Sequence, residues 1–171
     1  MSYVVTLLIL AYNEEKYIER TISKYINDFH KIIIVDDKSK DGTLNKCKEL
    51  SSAHKNIHII ENAKNYGAGR SFELGAEYFL ESDSDYLLKI DGDDQFKYED
   101  VLKIKEIGTS EKPDFIKCDR FWEKGIEGNI PLIRYFGNAF ASMLLKFLTG
   151  NWRINDPLNG LFLVSRKGMQ E

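Results

Sequence analysis

Apolar and polar positions alternate, as far as Cys118, in blocks typical of strands and helices. Strands are predicted at Tyr3 to Leu10, Lys31 to Val35, Ile57 to Ile60, Tyr86 to Ile90 and Phe115 to Cys118. Helical spacing lies between them, at Ile18, Ile22, Tyr25 and Ile26, at Leu44, Cys47 and Leu50, at Phe72, Ala76, Phe79 and Leu80, and at Val101, Leu102, Ile104 and Lys105. This alternation predicts an α/β fold with a mainly parallel sheet, flanking helices and a single domain.

Polar clusters follow three of the predicted strands: AYNEE, DDKSKDG and DGDDQ. In open parallel sheets, ligands bind beyond the carboxyl ends of the strands, so the three clusters are expected at one ligand-binding edge. The first cluster also predicts a helix start, with Asn13 as N-cap and two glutamates in the first turn.

The DGDDQ cluster holds Asp91, Asp93, Asp94 and Gln95. Oxygen ligands of this kind suit Mg²⁺ or Mn²⁺, which also take substrate phosphate oxygens. The alternative is a polar turn, because Asp-Gly is a common turn dipeptide. A turn does not need three carboxylates, whose mutual repulsion is relieved by a cation, and this favours the metal site.

Two weaker signals accompany that cluster. Asp36 and Asp37 end the second strand, where an acidic side chain can accept hydrogen bonds from a ribose or a base, or can cap the following helix. In NYGAGR, Gly67 and Gly69 would let the backbone approach a ligand, and Arg70 could meet a phosphate. By itself, NYGAGR is more typical of a loop than of a site.

Pro131 to Trp152 is rich in large apolar residues at helical intervals. This pattern predicts either a core helix with a wide apolar face or a helix at a membrane interface. In the second case Arg134 and Lys146 would reach lipid headgroups.

Composition narrows the class of protein. The chain has 171 residues, with 24 Lys and Arg against 27 Asp and Glu, so nucleic acid is not an expected partner. Cys47 and Cys118 show no CxxC spacing and are predicted to be buried thiols of a cytosolic protein. No segment reaches the roughly 18 apolar residues of a transmembrane helix. The chain ends soon after an apolar run, which is compatible with a fragment of a longer protein.

In order along the chain, AYNEE, VDDKSKDGT, NYGAGR and DGDDQ resemble the motifs of the family 2 glycosyltransferases of the GT-A fold. The later segments CDRFWEKG, RYFGN and DPLNG are similar to the polyprenyl-phosphate branch, that of dolichyl-phosphate mannose synthases and undecaprenyl-phosphate sugar transferases. The resemblance implies one catalytic domain over residues 1–171, with a nucleotide-binding part at about 1–95 and an acceptor-side part at about 96–171.

The resemblance also implies roles for single positions. A UDP- or GDP-linked sugar would lie along Ala11, Tyr12, Asn13, Glu14, Asp36, Asp37, Gly67, Arg70 and Asp91. Mg²⁺ or Mn²⁺ would be held by Asp91, Asp93 and Gln95. The catalytic positions on the acceptor side would be Arg120, Arg134 and Asp156, with the two arginines facing phosphates.

The implied function is inverting transfer of a sugar to a dolichyl or undecaprenyl phosphate, by an enzyme peripheral to the cytoplasmic face of the membrane. A phosphate acceptor is already anionic, whereas a sugar hydroxyl needs a general base, and no clear base motif follows DPLNG. The alternatives are transfer to a glycan hydroxyl in cell-surface polysaccharide synthesis and a nucleotide-binding module without activity. The intact acidic cluster argues against the second.

Overall fold

A computed structural model of the chain describes residues 3–118, 143 and 159–170. Its strands are β1 (Val5–Ala11), β2 (Lys31–Asp36), β3 (Ile57–Glu61), β4 (Tyr86–Asp91), β5 (Phe115–Lys117) and β6 (Phe162–Ser165). Its helices are α1 (Ile18–Tyr25), α2 (Thr43–Ala53), α3 (Ala68–Leu80), α4 (Tyr98–Glu111) and α5 (Arg166–Gln170).

The strands form one sheet in the order β3-β2-β1-β4-β6-β5. The pairs among β1, β2, β3 and β4 are parallel, and β6 runs antiparallel to β4. The predicted α/β class with a mainly parallel sheet is therefore confirmed. The chain order of the strands reverses at β1, which has β2 on one side and β4 on the other.

Apolar packing covers both faces of the central strands, since all seven residues of β1 are buried. On one face, α3 lies so close to the sheet that a Cβ on Gly75 would stand 2.5 Å from Leu8 Cδ1. Glycine at this position lets the helix approach β1 closely. The buried cluster on this face comprises Leu8, Leu10, Ile33, Val35, Ala76, Phe79, Leu87 and Val164.

The structure differs from the predicted elements in three places. The first helix begins at Ile18, and its N-cap is Tyr17, which makes no side-chain capping bond, so the prediction of Asn13 as N-cap is wrong. The fourth helix, predicted from the spacing of Val101 to Lys105 alone, is longer and has 14 residues. Strand β6 was not predicted from the sequence, because its four residues pair with a strand far away along the chain.

The residues up to Ile116 and from Leu161 onward form one compact unit, and Lys117–Gly160 belongs to a second. In the second, the Asn159 amide donates to the carbonyl of Cys118 at 3.0 Å. Cys47 is buried, whereas Cys118 is partly exposed, so the prediction of two buried thiols is wrong for Cys118. Among the described helices, none has the length and apolar character needed to cross a membrane.

Candidate active site

The carboxyl ends of β2 and β4 lie on either side of the end of β1. Ala11 is in register with Asp36, and Leu10 is in register with Asp91. The backbone pairing continues one step further, because the amides of Asp37 and Gly92 donate to the carbonyls of Ala11 and Leu10, each at 2.9 Å. The predicted convergence of the polar clusters on one sheet edge is thus present, at the position where ligands bind in such sheets.

Hydrogen bonds join the loop after β1 to the loop after β2. The Asn13 amide donates to Ser39 Oγ at 3.0 Å, and the Asn13 side-chain oxygen accepts from the Lys40 amide at 2.8 Å. Asn13 itself adopts a left-handed conformation, with φ of 58°. This contact explains why Asn13 does not cap α1: its side chain is engaged by the neighbouring loop. The Glu14 amide extends the contact by donating to Thr43 Oγ1 at 2.8 Å.

The Asp37 side chain accepts hydrogen bonds from the backbone of the NYGAGR loop. Asp37 is 5% exposed, and its carboxylate accepts from the backbone amides of Tyr66 and Gly67, each at 2.8 Å, and from the Asn62 side chain at 2.7 Å. Burial alone would raise the pKa of Asp37, but these hydrogen bonds, with a further one from Ser71, hold it below its ordinary value. In this structure the carboxylate therefore contacts the chain itself, and its contact with a nucleotide stays a prediction.

Asp36 does not cap α2, which was the alternative to a ligand contact. Its Oδ2 accepts from the Ser39 amide at 3.0 Å, whereas the amide at the start of α2, that of Thr43, donates to Asp41. The other oxygen, Oδ1, is buried and has no hydrogen-bond partner among the residues that the structure describes. A buried acceptor of this kind usually has a donor, so this atom is a point where a ligand group could add a bond.

Gly67 and Arg70 lie at the start of α3. Gly67 has φ of 84° and ψ of 165°, a conformation that is essentially restricted to glycine. The space where its Cβ would lie is open to 4 Å. Arg70 is exposed and pairs with Glu73 at 2.9 Å and Glu77 at 3.4 Å on its own helix. Both ion pairs use Nη1 of Arg70, and its contact with a phosphate stays a prediction.

The carboxylates of DGDDQ divide into two groups. Asp94 has φ of 57°, and its buried carboxylate forms ion pairs with Arg20 and Lys24 of α1. Asp91 is 31% exposed at its side chain and lies within reach of Gln95, whose Nε2 is 3.4 Å from Asp91 Oδ2. The Gln95 amide also donates to Asp93 Oδ1 at 3.3 Å. Asp94 is thus separated from the three residues predicted to hold the metal.

Glu14, Asp91 and Asp93 form what we call the acidic rim. Burial is the main cause that raises the pKa of Glu14, and the charges of Asp93, Asp41 and Asp91 raise it further. Burial also raises the pKa of Asp93, and the charge of Asp91 adds to this effect. These couplings show that the loops after β1 and β4 bring like charges close together, which was expected from their positions at the strand ends.

The acidic rim fits a divalent cation shared with a substrate. Within residues 3–118, 143 and 159–170, no three His, Cys, Asp or Glu side chains are arranged to hold a metal ion on their own. Mg²⁺ in nucleotide sites usually takes only one or two carboxylates and completes its shell with phosphate oxygens and water. Asp91 and Asp93 can supply such a pair, and a cation would relieve their repulsion.

Two features of the site were missed by sequence reasoning. Lys89, two residues before Asp91, is buried and its Nζ lies 2.5 Å from Asp91 Oδ1. Its period-two spacing from Asp91 was a usable signal, because both side chains must share one face of β4. The pairing of Asp94 with α1 had no local signal. The predicted residues Arg120, Arg134 and Asp156 and the Pro131 to Trp152 segment, apart from Met143, lie outside the described residues.

The chain is similar to proteins of known family. A family model described as glycosyl transferase family 2 matches residues 6–171. The chain is 28% identical over 180 residues to the UDP-N-acetylglucosamine–dolichyl-phosphate N-acetylglucosaminyltransferase of Methanococcus voltae, which covers 98% of this chain and 71% of the relative. It is 28% identical over 168 residues to the dolichol-phosphate mannosyltransferase of Pyrococcus furiosus, which covers 95% of this chain and 46% of that one.

Solved structures share the fold at lower identity. Glucosyl-3-phosphoglycerate synthase from Mycobacterium tuberculosis, in complex with UDP, superposes with a TM-score of 0.69 at 20% identity, over 96% of this chain and 57% of its own. A mannosyltransferase from Pyrobaculum calidifontis, in complex with GDP-Man and Mn²⁺, gives a TM-score of 0.58 at 17% identity, over 70% of this chain and 36% of its own. These likenesses confirm the GT-A architecture that the motifs predict.

Proposed function

This chain belongs to glycosyl transferase family 2, and from that membership we propose that it moves a sugar from a nucleotide-sugar to a polyprenyl phosphate. The proposed substrates are taken from the names of two relatives, both dolichyl-phosphate sugar transferases. The match to this chain covers 71% of the length of the first relative and 46% of the length of the second. Inversion at the anomeric carbon, in one displacement, is part of the proposal.

The observation that carries the proposal is the register at the end of β1. Asp36 and Asp91, from the strands on either side, flank Ala11 and Leu10 at the point where the strand order reverses. A nucleotide-sugar bound there would run from the loops after β1 and β2 towards the acidic rim. Ala11, Tyr12, Asn13 and Glu14 would lie along it.

The diphosphate would be bound at the acidic rim. Asp91 and Asp93, with Gln95 beside them, would hold Mg²⁺ or Mn²⁺, which supplies positive charge to the leaving nucleoside diphosphate. The Asp91 side chain is 31% exposed, and Asp93 accepts from the backbone amide of Gln95 at 3.3 Å. Both carboxylates accept hydrogen bonds from Gln95, so one residue orients the pair.

The acceptor side of the proposal rests on the similarity of the later motifs. A lipid phosphate attacks as an anion, so no side chain needs to remove a proton from it. Arg120 and Arg134 would bind this phosphate, and Asp156 would lie near the reacting atoms. The enzyme would then act by positioning two substrates and by dispersing charge. Because the acceptor is a lipid, we place the enzyme at a membrane surface, and the resemblance to the polyprenyl-phosphate branch implies its cytoplasmic face.

An acceptor assay tests the proposal. Undecaprenyl or dolichyl phosphate in detergent is offered beside simple sugar acceptors, with UDP- and GDP-sugars and Mn²⁺, and the anomeric configuration of the product is determined by NMR. We expect transfer to the lipid phosphate with inversion, and Arg134→Ala should lower this turnover far more than it weakens donor binding. Transfer to a sugar hydroxyl only, or retention of configuration, would contradict the proposal.

A further inference from the structure

Lys89 is a lysine in the interior of the sheet. It lies in β4 between Leu8 of β1 and Phe162 of β6, and only 7% of it is exposed. Burying an ammonium group is costly unless it is paired, and apolar residues fill most of this strand. The position therefore calls for a specific partner.

That partner is a carboxylate of the acidic rim. Lys89 Nζ lies 2.5 Å from Asp91 Oδ1, and the side chain of Lys89 is 8% exposed against 31% for Asp91. Asp91 therefore presents one oxygen to the ammonium and keeps Oδ2 on the side of Gln95. Lys89 also acts on Asp93: burial and Asp91 raise the pKa of Asp93, whereas the charge of Lys89 lowers it.

Asp94, the third carboxylate of DGDDQ, has different positively charged partners. Asp94 is paired with Arg20 and Lys24, which come from a helix. Lys89 reaches the rim from a buried position within the sheet, where β1 and β6 pair with its strand on either side. Its charge therefore stays beside Asp91 with or without a ligand.

We propose that Lys89 is a positioning residue that holds Asp91 in the metal-free protein and competes with a divalent cation for it. This inference rests on the proposed function, in which Asp91 is a metal ligand. With Oδ1 engaged, Asp91 offers the cation Oδ2, and a fixed positive charge stands next to the site. The cation then binds weakly to the protein alone and gains its full affinity when a nucleoside diphosphate adds negative charge.

The test measures Mn²⁺ binding without nucleotide, by the loss of the EPR signal of free Mn²⁺ during titration. Lys89→Met keeps the stem and removes the charge, so we expect the Mn²⁺ affinity to rise about tenfold, since a neighbouring unit charge acts strongly on a divalent ion. Adding UDP or GDP should then increase the Mn²⁺ affinity of Lys89→Met less than that of the wild type.

A matched control removes one positive charge elsewhere. Lys48 is exposed and pairs with Glu61 at 3.3 Å, so Lys48→Met should leave the Mn²⁺ affinity within about twofold of the wild type, because exposed charges at a distance are screened. Lys89→Gln, which keeps a hydrogen-bond donor without the charge, serves if Lys89→Met does not fold. It should also bind Mn²⁺ more tightly than the wild type.

Asp91→Asn separates this inference from the proposed function. If Asp91→Asn abolishes Mn²⁺ binding and Lys89→Met binds no better than the wild type, Lys89 is a structural ion-pair partner only, and the inference is overturned. If Asp91→Asn leaves the Mn²⁺ affinity unchanged, Asp91 is not a ligand, and the metal site of the proposed function fails with it.

Discussion

Asp37 and Gly67 are joined by a hydrogen bond of 2.8 Å from the Gly67 amide to Asp37 Oδ2. The bond links the end of β2 to the start of α3, across 30 positions of the chain. With the matching bond from Tyr66 to Oδ1, it makes one buried carboxylate the anchor of the whole NYGAGR loop. The loop is thus shaped before any ligand binds.

Asp37→Asn should destabilise the protein by about 2 kcal/mol at pH 7, because an amide nitrogen would face a donor where a carboxylate oxygen accepts now. The pKa of Asp37 in the folded protein lies below its ordinary value of 3.8. The charge therefore contributes stability above that value, and the contribution is lost as the pH falls through the lower, folded pKa.

Urea unfolding of both proteins at several pH values checks this. The difference in unfolding free energy should be full at neutral pH and shrink below about pH 4. Asp83→Asn, at an exposed aspartate, is the control and should change little at any pH. A difference that stays constant down to pH 2.5 would show that the charge of Asp37 is not the cause.

Gly67→Ala isolates the backbone strain at the start of α3. The new methyl would meet no atom within 4 Å, so the cost comes from the conformation alone and should be about 1–3 kcal/mol. Gly69→Ala is the matched control: it also has open space, lies inside α3, and should be neutral or stabilise by up to about 1 kcal/mol. Thermal unfolding of the two variants compares them directly, and equal effects would contradict the assigned conformation of Gly67.

Parts of this architecture could be predicted from local pattern, and parts could not. β1, β2, β3 and β4 are recognisable because each is a run of apolar residues followed by polar ones. Strand β6 is just as apolar, but its antiparallel place beside β4 depends on the path of the intervening chain. Such pairing is a property of topology, and no period within four residues encodes it.

The same division holds in the site. The acidic rim follows from the strand ends, and the pairs of Arg70 with Glu73 follow from helical spacing. Asn13 was expected to cap a helix, since its residue type favours both caps and left-handed turns. Only the neighbouring loop, whose Lys40 amide donates to it, decides between the two.

Arg166→Met should destabilise the protein by about 2–4 kcal/mol, because the backbone carbonyls that accept hydrogen bonds from the Arg166 guanidinium would lose these donors. The guanidinium donates to Leu80 at 2.8 Å and to Ser84 at 2.8 and 3.0 Å, and lies 5.0 Å from the ring centre of Phe79. Lys48→Met, in α2, removes an exposed ion pair with Glu61 and should stay within about 0.5 kcal/mol of the wild type. Differential scanning calorimetry should show a fall in Tm of about 5–10 °C for the first variant alone.

Asp93→Asn tests the proposed metal site from the substrate side. A neutral amide cannot neutralise the charge of a divalent cation as a carboxylate does. The affinity for UDP or GDP, measured by calorimetry with Mn²⁺, should therefore fall about tenfold or more, which is about 1.4 kcal/mol of binding free energy. Without metal, the affinity of the variant should equal that of the wild type or exceed it, because one negative charge has left the acidic rim. Asp83→Asn, remote from the rim in an exposed turn, controls for net charge. Undiminished affinity with Mn²⁺ would show that Asp93 does not hold the cation against the diphosphate.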